Sequence, residues 1–431
     1  MIIKKLIPDK FFLYFKKNRF AKNVSILVGG TGFAQLLVIG ASPIVTRLYT
    51  PEDFGTLAIF ISLLAILGTA ASFKYQFAIP LPEKDEDAIQ VLAISLFFNI
   101  LYSIICGVAL FLAIPLIEKY DNYAVVIPFL WILPISIIAL GIYQSFKYWA
   151  IREKKFKHIA QTKISQNIAL IAAQIGIGSV TTGPIGLLIG DAIGRSGGST
   201  TLAIQAWKKV RSLRKEITIE RMKKQATRYK RFPLYSSGSG LVNSLGLQMT
   251  PLLIAGILGP VVAGLYALTQ RVSGAPMRLI GESFGLVYYK EAADSLKLSK
   301  RELRSLFLRH TKTLFIIGLV PVTILLILGP KGFAFIFGDN WAESGLYAQI
   351  LAPMLLLQFV VVPLSQTLNI IERQDLQLIW DIARFVSVAM VFAGLHYFSI
   401  KEPIALMWLS LIMTLLYFSL FIITFVQIKK E

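Results

Sequence analysis

Residues 88–114 read AIQVLAISLFFNILYSIICGVALFLAI, a run without any Asp, Glu, Lys or Arg. An α-helix needs about 20 apolar residues to cross the hydrocarbon core of a bilayer, so this run predicts a membrane-spanning helix. Eleven more apolar stretches of similar length lie on either side of it. The twelve predicted spans are 24–48, 54–79, 88–114, 124–149, 159–180, 184–206, 233–257, 260–288, 311–329, 344–370, 377–397 and 403–427.

The composition agrees with a membrane protein. The chain is 55% hydrophobic and only 16% charged, whereas soluble domains carry about 25% charged residues. The formal net charge of +20 would suggest a nucleic-acid partner in a soluble protein. We instead predict no nucleic acid and contact with membrane lipids, because Lys and Arg are enriched in the cytoplasmic loops of membrane proteins.

The positions of Lys and Arg predict the orientation. Of the 44 Lys and Arg residues, 36 lie in the N-terminal tail, in the gaps after even-numbered spans, in the C-terminal tail, or within about six residues of these regions. The gaps after odd-numbered spans hold only Arg47, Lys119, Lys331 and Lys401. This alternation predicts that both termini face the cytoplasm. The pattern therefore predicts a multi-pass membrane protein with its basic loops in the cytoplasm.

The basic gap 208–231 separates two sets of six spans. We predict an interfacial cytoplasmic segment at 1–23, whose basic and aromatic residues suit anionic lipid. An N-lobe at 24–207, the linker at 208–231, a C-lobe at 232–427 and a cytoplasmic tail at 428–431 complete the domain prediction.

Weak self-similarity favours a six-plus-six duplication. Glycines and prolines recur at an offset of 208 residues, and a second set recurs at 209. The pairs are Gly30 and Gly238, Gly32 and Gly240, Pro43 and Pro251, Gly55 and Gly264, and Ala58 and Ala267. Two parallel repeats predict a pseudo-twofold axis along the membrane normal and a central cavity between the lobes.

Charges inside the spans are the main functional candidates, because each costs about 2.5–3.5 kcal/mol even on permissive insertion scales. Asp191 and Arg195 are spaced i,i+4, and Asp381 and Arg384 are spaced i,i+3, so both pairs can form ion pairs on one helix. Since a buried carboxylate can titrate near neutrality, the candidates for ion coupling are Asp191, Glu282 and Asp381.

Arg271 lies near the middle of span eight with no acidic residue three or four positions away. Arg278 follows two helical turns later, with Gly274 and Ala275 between them, and Glu282 is positioned to pair with Arg278. A partner for Arg271 on another helix, Asp191 or Asp381, is one interpretation. The other is a cavity lined by guanidinium groups that binds a phosphate or diphosphate through bidentate bonds.

Two further cations lie at span ends. Lys74 is a candidate for the basic cavity lining, with snorkelling as its alternative, and Arg47 is a second candidate, with interfacial anchoring beside Tyr49 as its alternative.

Packing and kink positions are also predicted. Glycines at four-residue spacing permit close helix approach, and prolines bend helices. These positions are Gly186, Gly190, Gly194, Pro43 and Pro276.

Catalytic signatures are missing from the sequence. There is no GxxxxGK[ST] phosphate loop, and the three histidines are far apart. We therefore predict no catalytic residue, no metal and no cofactor. Coupling to a proton or sodium gradient stays open.

The segment Pro43-Ile44-Val45-Thr46-Arg47-Leu48-Tyr49, followed by Pro51-Glu52-Asp53-Phe54-Gly55, resembles the first hairpin of Wzx-type oligosaccharide flippases. Lys74-Tyr75-Gln76 with Ala78-Ile79-Pro80-Leu81-Pro82 is similar to the end of their second helix, where Arg-Tyr-Glu is common. These flippases belong to the multidrug/oligosaccharidyl-lipid/polysaccharide (MOP) exporter superfamily. The missing carboxylate at Gln76 argues against ion coupling at that position.

The resemblance implies a two-lobe helical fold that works by alternating access. It implies a polyprenyl-diphosphate-linked oligosaccharide, such as an undecaprenyl diphosphate carrier in O-antigen or lipopolysaccharide biosynthesis, moved to the periplasmic leaflet. A polysaccharide polymerase and a chain-length regulator are expected partners.

Two alternatives remain open on the sequence. A multidrug antiporter of the same superfamily should favour carboxylates in its cavity, since drug substrates are mostly cations. A membrane-embedded glycosyltransferase or polymerase should carry a large extracytoplasmic loop or an acidic metal motif. The longest odd-numbered gap here, about 331–343, is short.

Overall fold

The computed structural model describes residues 19–398 and 400–430, and in these residues the secondary structure is helical without a β-strand. Helices suit this sequence because hydrocarbon offers no hydrogen-bond partner to backbone groups, which a helix pairs internally. The predicted segment 1–23 falls mostly outside the described residues, as does Glu431.

The first half contains six long helices and a short linker helix. They are α1 (Arg19–Leu48), α2 (Pro51–Gly68), α3 (Asp85–Ile117), α4 (Ile132–Arg152), α5 (Phe156–Gly178), α6 (Ile185–Leu213) and α7 (Ile219–Arg228). The second half contains α8 (Ser237–Leu253), α9 (Pro260–Thr269), α10 (Ala275–Leu298), α11 (Lys300–Phe337), α12 (Ala342–Ile370), α13 (Gln374–Tyr397) and α14 (Ile404–Lys430).

Each predicted span overlaps one of these helices. By length and apolar composition, 8 helices in the described part of the chain are suited to cross a membrane, or up to 9 if the bent pair Asp121–Phe129 and Ile132–Arg152 is one span. That pair is bent by 67°. The exact count of twelve and the orientation of the termini stay predictions.

Predicted spans 54–79 and 260–288 are also not continuous α-helices. Helix α2 ends at Gly68, and the chain turns through Phe73 and Lys74, whose φ angles are 46° and 61°. A π-helical turn at Gln270–Gly274 separates α9 from α10. Pro276 follows this turn and has no backbone N–H, so it cannot donate the hydrogen bond that a regular α-helix would need there.

The contacts group the chain into two compact units, one of residues 19–48 and 60–248 and the other of 49–59 and 249–431. These boundaries differ from those of the predicted lobes. The linker 208–231 packs within the first unit: Gln90 donates to the Glu216 carbonyl at 2.7 Å, the Tyr75 hydroxyl to the Ala226 carbonyl at 3.2 Å, and Gln225 to Asp87 at 2.8 Å. Helix α7 is therefore held by its buried face.

A reciprocal contact in the second unit joins the starts of α2 and α9. A methyl group added to Gly55 would overlap the Pro260 carbonyl, and one added to Gly264 would overlap the Pro51 carbonyl. Gly55 is the fifth residue of α2, which begins at Pro51, and Gly264 is the fifth residue of α9, which begins at Pro260. The two glycines are also a pair in the predicted repeat, so this packing has the symmetry that a duplication would produce.

We predict that Gly264→Ala and Gly55→Ala each lower the free energy of unfolding by about 1–3 kcal/mol, because overpacking against backbone cannot be relieved by a side-chain rotation. Gly40→Ala on α1 is the matched control, since an added methyl group there meets nothing within 4 Å and alanine favours a helix. Thermal unfolding of the purified proteins measures the difference. Equal melting of Gly264→Ala and Gly40→Ala would contradict the assigned contact.

Candidate functional site

Arg271 lies in the π turn between α9 and α10 and is half-buried. Its guanidinium carbon is 5.4 Å from the centroid of the Phe54 ring. Phe54 is fully buried and packs edge-on against Trp341 at 4.8 Å between ring centroids. A cation over an aromatic face is attracted by the ring's negative charge, and π turns are frequent at functional sites. The second unit therefore fixes one cation against an aromatic pair.

Arg278 does not share this environment. The sequence predicts Arg271 and Arg278 on one helix face, but the π turn between them changes the helical phase, so a spacing of seven residues is no longer two α-helical turns. Arg278 and Glu282 are both exposed. Although their spacing would allow an ion pair, the described structure contains none between them.

Asp191 and Arg195 form the ion pair that their spacing predicts. Arg195 Nε donates to Asp191 Oδ2 at 2.6 Å, and Nη2 donates to Oδ1 at 3.0 Å. The Asp191 side chain is 7% exposed and that of Arg195 is 29% exposed. Two parallel hydrogen bonds give a bidentate charge-assisted pair, which neutralises the most buried carboxylate among the predicted site residues.

Asp381 and Arg384 also pair, at 3.2 Å between Arg384 Nη2 and Asp381 Oδ1. Gln377 donates to the same carboxylate at 3.3 Å, and the Arg384 guanidinium carbon lies 5.2 Å from the Trp380 ring centroid. The Asp381 side chain is 43% exposed. This second pair is thus more solvated than the first.

Lys74 lies in the turn after α2, and Arg47 lies in the last turn of α1. Lys74 sits in the left-handed turn after α2, with its Nζ 5.4 Å from the Phe77 ring centroid. Gly240 of α8 faces this lysine, since an added methyl carbon would be 3.2 Å from Nζ. Arg47 is exposed and donates to the Pro43 carbonyl of its own helix at 2.7 Å, one turn back along α1. The structure does not bring Lys74 and Arg47 together.

The glycines of α6 allow α5 to approach closely. Methyl groups added at Gly190 and Gly194 would meet backbone or side-chain atoms of Gln174, Leu170 and Gln166. Gly186 begins the same row on α6. Pro43 lies inside α1.

Two lysines that the sequence reasoning missed lie beside this helix pair. The charge count assigns Lys147 and Lys163 to the cytoplasmic gap between spans four and five, but the structure places them within α4 and α5, both partly buried. Lys163 Nζ lies 4.9 Å from the ring centroid of Tyr143 on α4. The sequence does contain a signal that Lys163 lies in a polar part of its helix, because four polar residues are close to it: Gln161, Thr162, Gln166 and Asn167.

Among the described residues, no group of three His, Cys, Asp or Glu side chains is arranged to hold a metal ion. Helices α4, α5 and α6 of the first unit contain Asp191 as their one carboxylate, and their cations include Lys147, Lys163 and Arg195. Such an arrangement suits binding of an anion rather than a cation.

We predict that Asp191→Ala lowers the free energy of unfolding by about 3 kcal/mol or more, because it leaves the half-buried Arg195 uncompensated beside Lys163. Asp381→Ala is the comparison. Its carboxylate is more exposed, so its loss should cost about 1 kcal/mol or less. Thermal unfolding of the two variants measures both values, and a larger loss for Asp381→Ala would contradict the assigned burial.

The chain is similar to known proteins in sequence and in fold. Residues 44–346 match the family described as "Polysaccharide biosynthesis protein". The chain is 21% identical to the lipopolysaccharide biosynthesis protein WzxC of Escherichia coli (strain K12) over 375 residues, which cover 86% of this chain and 73% of WzxC.

Solved structures share the fold. An inward-facing multidrug resistance MATE family transporter of the MOP superfamily aligns with a TM-score of 0.71 at 16% identity, covering 92% of this chain and 94% of the transporter. The lipid II flippase MurJ, in an inward closed conformation, aligns with a TM-score of 0.62 at 15% identity, covering 94% and 90%. The family match covers most of the chain, and the chain therefore belongs to the polysaccharide biosynthesis protein family.

Proposed function

We propose that this protein moves a polyprenyl-diphosphate-linked oligosaccharide from the cytoplasmic to the periplasmic leaflet of the bacterial inner membrane. Alternating access would expose the substrate site to each side in turn. The product would feed the synthesis of an O-antigen or capsule-like surface polysaccharide, with a polymerase and a chain-length regulator as downstream partners. The family match and the similarity to WzxC support this assignment.

The observation that carries the proposal is the sign of the charge within the helices. In the first unit, three cations stand against Asp191. In the second, Arg271, Arg278 and Arg384 are matched in number by Asp53, Glu282 and Asp381. A diphosphate brings negative charge that such helices can compensate. A transporter of cationic drugs would be expected to show the opposite sign.

The direct test is deletion of the gene followed by analysis of lipid-linked oligosaccharides in each leaflet. We expect the complete lipid-linked repeat to accumulate in the cytoplasmic leaflet, and drug resistance to stay unchanged. If deletion instead lowers drug resistance, complementation restores it, and the amount of lipid-linked oligosaccharide does not change, the result would support the multidrug antiporter.

Arg271 is the proposed contact to the diphosphate in the second unit. Arg271→Ala should reduce flipping at least 10-fold with little change in melting temperature. Arg271→Lys should recover only part of the activity, because a lysine lacks the planar fork that binds phosphate oxygens in pairs. Lys331→Ala, at an exposed position of the same unit, is the control.

Flipping and thermal unfolding are measured on the same purified variants of Arg271. A large fall in melting temperature for Arg271→Ala would assign this residue to the stability of the fold. Full activity of Arg271→Ala would remove it from both roles.

Asp191, Glu282 and Asp381 are proposed sites for coupling to a proton or sodium gradient. If one of them binds the coupling ion, replacing it by the corresponding amide should change the pH or sodium dependence of flipping. The rate is measured in proteoliposomes over a range of imposed gradients. Unchanged ion dependence in all three amide variants would exclude coupling through these carboxylates.

A further inference from the structure

Helices α4 and α6 enclose an open groove in the first unit, which we call the α4–α6 groove. Its volume is about 600 Å³, within the usual range of ligand sites, about 300–1,000 Å³. Each helix lines it with residues at i, i+3, i+4 and i+7, a spacing that places them on one helix face. The walls include Ile135, Ile138 and Ile142 of α4, and Ser199, Thr200 and Ala203 of α6.

The hydroxyl groups that line the groove are already hydrogen-bonded. Ser199 donates to the Ala139 carbonyl of α4 at 3.0 Å, where the two helices meet. Ser196 donates to the Ala192 carbonyl at 2.8 Å, and Thr200 donates to the Ser196 carbonyl at 3.1 Å, both within α6. Since a hydroxyl has one hydrogen to donate, these side chains offer no donor to a ligand. The groove therefore suits an apolar chain.

The two sides of the groove differ in side-chain size. Isoleucines form the α4 side, whereas the small side chains of α6 between Ser196 and Ala203 give the groove its depth. Ile135 and Ile204 are exposed, and an apolar chain lying between the helices would cover them. Removal of this apolar surface from contact with solvent or disordered lipid favours a bound chain.

The length of the groove matches one leaflet of a bilayer. From Ser196 to Trp207, both of which line it, α6 rises about 16 Å. The hydrocarbon core of a bilayer is about 30 Å thick, so one leaflet is about 15 Å. An acyl chain of a phospholipid extends through one leaflet and fits this length. An undecaprenyl chain is much longer, so most of it would lie outside the groove.

The Trp207 end of the groove has the side chains that a lipid headgroup requires. Trp207 is exposed, and tryptophan is typical of the level of the headgroups. Arg211 lies four residues later, on the same face of α6, and is exposed without a salt bridge in the described part of the chain. Lys209, by contrast, is paired with Asp85 at 2.7 Å. Arg211 is thus placed to bind a phosphate with its planar fork.

We propose that the α4–α6 groove binds one acyl chain of an anionic membrane phospholipid, whose phosphate contacts Arg211. This lipid is a resident one that joins α4 to α6, and it is distinct from the transported lipid. By the orientation that the basic gaps predict, it belongs to the cytoplasmic leaflet. The inference does not depend on the proposed function.

The test uses the purified full chain in a neutral detergent. Three probes are added in turn: dioleoyl phosphatidylglycerol, dioleoyl phosphatidylcholine and undecaprenyl phosphate. Native mass spectrometry counts the lipids retained on each chain, and thermal unfolding measures the stabilisation. We expect the wild type to retain one phosphatidylglycerol, to melt at a higher temperature with it, and to bind phosphatidylcholine at least 10-fold more weakly.

A variant that fills the groove tests the site of the acyl chain. Ala203→Leu should bind phosphatidylglycerol at least 10-fold more weakly, because the larger side chain occupies the space of the acyl chain. Ala172→Leu is the matched control, since Ala172 is exposed on α5 outside the groove, and it should bind like the wild type. Equal binding by Ala203→Leu and the wild type would overturn the proposal.

A second variant tests the headgroup contact without changing the groove. Arg211→Gln should lose the preference for phosphatidylglycerol over phosphatidylcholine. Lys224→Gln, at an exposed position of α7, should keep it. An unchanged preference in Arg211→Gln, or no preference in the wild type, would contradict the proposed phosphate contact even if Ala203→Leu melted at a lower temperature.

Two other occupants of the groove would also be recognised. Tighter binding of undecaprenyl phosphate than of phosphatidylglycerol, lost in Ala203→Leu, would assign the groove to the transported lipid. A dimer in the mass spectrum that Ala203→Leu converts to a monomer would assign it to a second copy of this chain. Either result would overturn the proposal.

Discussion

Hydrocarbon cannot solvate a charge, and this constraint decides where charged side chains lie in the protein and what they contact. Asp191 is nearly fully buried, and it is paired through two hydrogen bonds with Arg195. Arg271 lies over the Phe54 ring, and Lys163 lies over the Tyr143 ring. Aromatic faces and one bidentate carboxylate thus compensate cations that the surrounding lipid could not.

The excess of cations is the feature that connects the fold with its function. Helices α4, α5 and α6 of the first unit carry more cations than carboxylates. A fold selected for stability alone would replace uncompensated lysines by apolar residues. A protein that must take up a diphosphate at the bilayer needs positive charge that is uncompensated until the substrate binds.

Much of the fold was predictable because its signals are local. Apolar runs such as 88–114 and the alternating basic gaps placed a helix at every predicted span, and the i,i+4 spacing of Asp191 and Arg195 was enough to predict their pair. The end of α2 at Gly68 was not predictable in this way, because apolar residues continue past it. The π turn at Gln270–Gly274 likewise leaves hydropathy unchanged, so the sequence does not reveal it.

The packing of α5 against α6 depends on contacts between helices, and spacing along one helix cannot reveal it. Gly194 and Gly198 permit this packing, because an added methyl group would meet Leu170 or Gln166 of α5. The same holds for Gly55 and Gly264, whose reciprocal contact follows from tertiary structure although their repeat spacing was visible in the sequence.

The central claim is that the protein recognises the negative charge of a diphosphate-linked lipid. The most direct measurement compares flipping in proteoliposomes of one oligosaccharide attached either to a polyprenyl diphosphate or to a neutral lipid of the same chain length. The account predicts rapid movement of the diphosphate-linked lipid and at least 10-fold slower movement of the neutral one. Equal rates for the two lipids would contradict it.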